Sequence, residues 1–260
     1  MFGIFRSKKK YEPLHYDLRK YFEQNFLWLN HEFPEPKVED RKMLLPTHDH
    51  FPIRWNRSQD NAVAALNIIC GNMQIDPNNI ELHFFDNISR EINMGTSSVF
   101  VQTDPNDSES AGMFTMHEVE GKYNVSIDNA LLKTPDNLVA ALAHELAHVK
   151  LLGEKRLEDN DEMLTDFTTV FFGLGIFNSN ASFRFRQNID RWQYSRLGYL
   201  LTSEWAYALA LFAYVRYEDN PEWLHHLSPS IKYDFQKSLR YMIENQEEIF
   251  KFKDEDQTIL

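Results

Sequence analysis

The stretch Pro135–Leu152, PDNLVAALAHELAHVKLL, decides how the rest of the chain is read. Proline is tolerated in the first turn of a helix, Thr134 stands where a cap belongs, and Gly153 offers a stop. The spacing predicts one helix from Pro135 to about Leu152. On such a helix, residues four apart stack on one face with Cβ atoms about 6 Å apart. His144 and His148 therefore present two imidazole nitrogens to one divalent cation. Glu145 sits roughly 100° further around, near enough to reach a water on that cation without being a ligand. Ala140, Ala141, Ala143 and Ala147 are small enough for neighbouring elements to approach closely. With 10 His and 21 Glu in 260 residues, random order gives this spacing about 0.03 times per chain, so the pattern carries weight.

H-E-x-x-H is the pattern of zinc hydrolases. Catalytic zinc takes three protein ligands and keeps one position for water. Fourteen residues after His148 stands Glu162, in Asp161-Glu162-Met163-Leu164-Thr165-Asp166. Glu162 and Asp166 are again four apart on an expected helix (Asp161–Leu174), whose apolar face is Met163, Leu164, Phe167, Val170 and Phe171. Glu162 is read as the third ligand. Asp166 then accepts a hydrogen bond from the outer nitrogen of a ligating histidine, with His144 the expected partner. Helix N-termini favour carboxylates with or without a metal, and Glu158, Asp159 and Asp161 crowd the same place. One zinc ion per chain is the cofactor expected.

H-E-x-x-H followed by E-x-x-[S/T]-D resembles the gluzincin metallopeptidases, the thermolysin-like clan. The resemblance covers about residues 115–174. It implies zinc ligands His144, His148 and Glu162, with Glu145 as base and Asp166 as support of the first histidine. It also implies a zincin-like fold, with a sheet above the active-site helix, and a peptide or protein as substrate. Asp161 stands where the clan has Asn, and the spacer is short for thermolysin itself. The clan's downstream histidine or tyrosine, which stabilises the oxyanion, matches no single position; Tyr194, Tyr199, Tyr207, His225 and His226 are the candidates.

Outward from the helix, Lys122–Asp128 and Met113–Glu118 read as strands joined by a turn at Glu120-Gly121. Lys122–Asp128 suits either a substrate-pairing edge strand or an internal one. Ile80–Asp86 (IELHFFD) reads as a further strand, and Gly95–Gly112 as a loop. Helices are expected at Tyr11–Asn30, Ser58–Met73, Ile189–Leu201, Thr202–Tyr217 and Ser230–Phe250, with a frayed end at Lys251–Leu260. Strands before residue 130 and helices after it make an α+β chain: a small mixed or antiparallel sheet over the active-site helix, then a helix-rich C-terminal half. The expected division is a helical extension over 1–57, a zincin-like core over 58–177, and a helical subdomain over 178–260 packed on that core.

Composition narrows the function. A formal charge of −12 repels nucleic acid, and the basic cluster Arg6, Lys8, Lys9 and Lys10 is short and terminal. Cys70 alone cannot form an intramolecular disulfide, and it lies in an apolar helical stretch. The longest apolar run, Ala206–Val215, is well short of the ~20 residues that span a bilayer. No secretory signal is legible, so a reducing, cytoplasmic setting is expected. His48-Asp49-His50 reads as a surface turn. The reading is a zinc-dependent peptidase. The alternative is a non-catalytic binding or regulatory module on the same scaffold, with structural or vestigial zinc and a protein partner at the C-terminal helices.

Overall fold

The computed structural model describes residues 11–86, 91–94, 97–100, 112–116, 122–185 and 200–252. Helices α1 (Tyr16–Glu32) and α2 (Gln59–Met73) come first. Strands β1 (Ile80–Phe85), β2 (Glu91–Met94), β3 (Ser97–Phe100), β4 (Gly112–Met116) and β5 (Tyr123–Asp128) follow. Then come α3 (Pro135–His148), α4 (Glu162–Phe171), α5 (Gly175–Phe185), α6 (Thr202–Val215) and α7 (Pro229–Glu244). The chain is α+β. Among the described residues no helix is long and apolar enough to cross a membrane.

The chain divides into two compact units, Leu44–Asp161 and Met1–Met43 with Glu162–Leu260. The first holds the sheet, in the order β1-β5-β4. β4 runs antiparallel to β5, as expected, but β1 runs parallel to it, so the sheet is mixed. β5 is thus paired on both sides and is internal, which removes it as an edge for substrate. Paired Leu82–Val125 and Phe84–Ile127 share one face, and Glu81–Asn124 and His83–Ser126 share the other. Val125 and Ile127 are fully buried, each worth about 1.5–3 kcal/mol of apolar transfer. α3 packs against β5 and β4, and α2 packs on α3. On the polar face Lys122 pairs with Glu81 at 3.0 Å. β2 and β3 form a separate antiparallel pair. β3 therefore falls inside the segment expected to be a loop; the turn expected at Glu120-Gly121 lies outside the described residues.

The second unit is helical, and α1 belongs to it rather than forming a separate extension. The apolar stripe of α1 meets aromatic rings far along the chain: Phe22 lies 5.1 Å from Phe167, and Phe26 lies 5.7 Å from Phe171, both edge to face. α4 packs on α5 and α6, and α6 packs on α7. α5 was not expected, because Gly173 and Gly175 look like terminators. Gly173 does end a helical segment, with φ +76° and the Lys42 carbonyl where a Cβ would go. Gly175 instead opens α5; a Cβ there would stand 2.8 Å from Val170 and 2.9 Å from Leu209. The final helix is shorter than expected and stops at Glu244, where the Asn245 side chain donates to the Tyr241 carbonyl at 2.7 Å. Most of the helix expected at Ile189–Leu201 lies outside the described residues, and Leu200 and Leu201 are not helical.

Candidate metal centre

α3 begins as its sequence predicts, with Pro135 in the first turn. The Thr134 hydroxyl does not cap it and turns back to the Leu131 carbonyl, 3.5 Å away. After His148 the helix widens into a π-helical turn over Val149–Gly153. Gly153 is needed there for close approach. A Cβ at that position would stand 2.8 Å from the Tyr123 ring, whose hydroxyl donates to the Gly153 carbonyl at 3.0 Å. The end of the histidine helix is thereby pinned to β5.

Every residue from Leu138 to His148 is buried except Ala141 and His144, which are half-buried. Glu145 is 5% exposed and His148 7%. Burying such groups is costly unless they have partners. The His144 and His148 rings stand nearly perpendicular, with centroids 4.8 Å apart. Glu162 is the first residue of α4. One nitrogen from each histidine and one oxygen of Glu162 lie within 4.8 Å of one another, the one such metal-capable group among the described residues.

Those distances test the fit of a cation. Three points no more than 4.8 Å apart share a centre within 4.8/√3, about 2.8 Å, of each. Zinc binds His nitrogen and carboxylate oxygen at about 2.0–2.2 Å. Each donor need move inward by only about 0.7 Å, within reach of small side-chain rotations. Two imidazoles and one carboxylate are also a donor set of catalytic zinc. The residues fit the ion. Lys150, two residues past His148, is buried but pairs with Glu154, so its charge is answered within one turn.

Asp166, one turn after Glu162, is 4% exposed. Its Oδ2 accepts the Leu200 backbone N–H at 3.1 Å. Next along the chain, the Leu201 N–H donates to Glu204 Oε2 at 2.6 Å. The Leu201–Glu204 bond has a sequence signal, a glutamate at the third position of a helix. The Asp166–Leu200 bond has none, since 34 residues separate the partners.

The oxyanion candidates fare differently. Tyr207 is fully buried on α6, and its hydroxyl donates to Glu23 Oε1 at 3.0 Å. Burial first, and Glu23 second, push its phenol above the ordinary value. His225 is exposed on a 3-10 turn, its ring tilted against His226 with centroids 4.0 Å apart. Tyr194 and Tyr199 lie outside the described residues. Cys70 is buried, and burial pushes its thiol up to about 12. His48, Asp49 and His50 form a turn in which His50 Nδ1 accepts the Leu45 N–H at 3.0 Å.

No family model, no curated protein and no solved structure matches this chain.

Proposed function

We propose that the chain is a zinc-dependent hydrolase, a metallopeptidase of zincin-like fold that cleaves peptide bonds. The observation carrying this reading is the convergence of His144, His148 and Glu162 donor atoms within 4.8 Å. The position of Glu145, next to a ligand histidine on the same buried helix, supports it. Zinc, when bound, supplies a Lewis acid that acidifies a water and polarises a carbonyl.

The residues divide the remaining work. His144, His148 and Glu162 would hold the cation, through two imidazole nitrogens and one carboxylate oxygen. A carboxylate oxygen of Glu145 takes the proton of the attacking water, and then delivers it to the amine nitrogen of the leaving group. Asp166 orients His144 and raises its basicity. The substrate is a peptide or protein chain.

A specific observation favours a second reading, a non-catalytic binding or regulatory module that keeps zinc for structure. Tyr207, one of the residues considered for oxyanion stabilisation, is committed to Glu23 instead.

One assay separates the two. Zinc-loaded protein is presented with a broad peptide library, beside Glu145→Gln. The peptidase reading expects cleavage by the wild type, a loss of about 10²–10⁴-fold in the variant, and unchanged zinc content. Full hydrolysis by Glu145→Gln would remove that residue from the chemistry. Silence of the wild type across the library would favour the module.

A further inference from the structure

Two consecutive backbone amides at the start of α6 are taken up by two buried carboxylates from different helices. The Leu200 N–H donates to Asp166 of α4 at 3.1 Å, and the Leu201 N–H donates to Glu204 of α6 itself at 2.6 Å. Asp166 and Glu204 are 4% and 7% exposed, and Leu200 is fully buried. The first bond ties two helices together, whereas the second closes within one.

The tie runs one turn below the ligand carboxylate. Glu162 is the first residue of α4, and the first turn of a helix has N–H groups without intrahelical acceptors, so it frays most readily. α4 has 10 residues, a length at which a helix in isolation is marginal. Holding the Glu162 side chain fixes that fraying turn. Asp166, four residues on, shares its face and is fixed with it. What Asp166 holds in turn is the Leu200 amide.

We infer that Asp166 is a positioning residue with a second task. It transmits occupancy of the His144–His148–Glu162 cluster to the backbone at the start of α6, so that a bound cation tightens the Leu200 amide. This rests on the proposed zinc site and adds to it a mechanical consequence. Coupling of this kind is reciprocal: whatever loosens the Leu200 end weakens the cation by the same factor. The adjacent Leu201 amide is the internal reference, since its acceptor lies on α6 and gains nothing directly from α4.

Amide hydrogen exchange of the full chain, with and without one equivalent of zinc, tests this, with zinc content measured on the same samples. The expected result is a slowing of Leu200 exchange by about tenfold or more on zinc binding. Leu201 and an amide within α7 such as Leu239 should change by less than about threefold. In Glu162→Ala, added zinc should leave Leu200 exchange unchanged. Zinc bound at one per chain with Leu200 exchange unaltered, or slowed no more than Leu239, would overturn the coupling and leave the metal site standing. Failure to bind zinc at all would remove both.

Discussion

α3 and α6 are built from similar material and do opposite things with it. Both are 14-residue helices with several alanines, and both are almost wholly buried. α6 buries Trp205, Tyr207, Leu209, Leu211 and Phe212, and its Tyr207 hydroxyl is consumed by one partner, Glu23. Glu23 also accepts Lys20 Nζ of its own helix at 2.6 Å and the Phe250 N–H at 2.8 Å, so the buried carboxylate ties α6 and the chain after α7 to α1. α3 instead buries Glu145 and His148 with His144 beside them, and turns two nitrogens toward the Glu162 carboxylate. A buried polar group is thus no sign of chemistry by itself. What separates the helices is whether donors converge on a point that another atom can fill.

The comparison breaks first at the cation. Glu162→Ala should weaken zinc by more than Asp166→Ala, for which a loss of about 10–100-fold is expected of a group that orients a ligand. Isothermal titration of the two variants orders them. If Asp166→Ala strips the metal and Glu162→Ala does not, the roles are reversed.

On the α6 side, Tyr207→Phe should leave zinc affinity and hydrolysis unchanged and cost about 1–3 kcal/mol of stability, by taking one donor from Glu23. Urea unfolding measures the cost, and a loss of hydrolysis at unaltered stability would return Tyr207 to the active site. The pH dependence has a definite sign. The folded state holds the Tyr207 proton more tightly than the unfolded chain does. Its contribution is therefore fully present below about pH 10 and is lost as the pH rises above it, because there the unfolded chain binds fewer protons. Tyr207→Phe should flatten part of the alkaline loss.

The same contrast explains what the sequence makes legible. Both i, i+4 pairs, His144 with His148 and Glu162 with Asp166, lie within single helices, where spacing alone sets the shared face. β1, β4 and β5 are legible as strands, and β4 with β5 as neighbours from their order, whereas β2 and β3 are not, since β3 lies in a segment that reads as a loop. Pairing at a distance was not legible. β1 reaches β5 in parallel across a long connection, which made β5 internal. α1 shows an apolar stripe but not what covers it, so its union with α4 and α6 came only from the structure. Tyr207 finds Glu23 across 184 residues, and no local pattern announces that bond. α5 was hidden because a glycine chosen for close packing looks the same in sequence as one chosen to end a helix.

The most direct test is the zinc content of the purified chain by elemental analysis, beside His144→Ala. One zinc per chain, lost in the variant, is the result expected. A wild type free of zinc after metal loading, or a variant that retains as much as the wild type, would contradict the account.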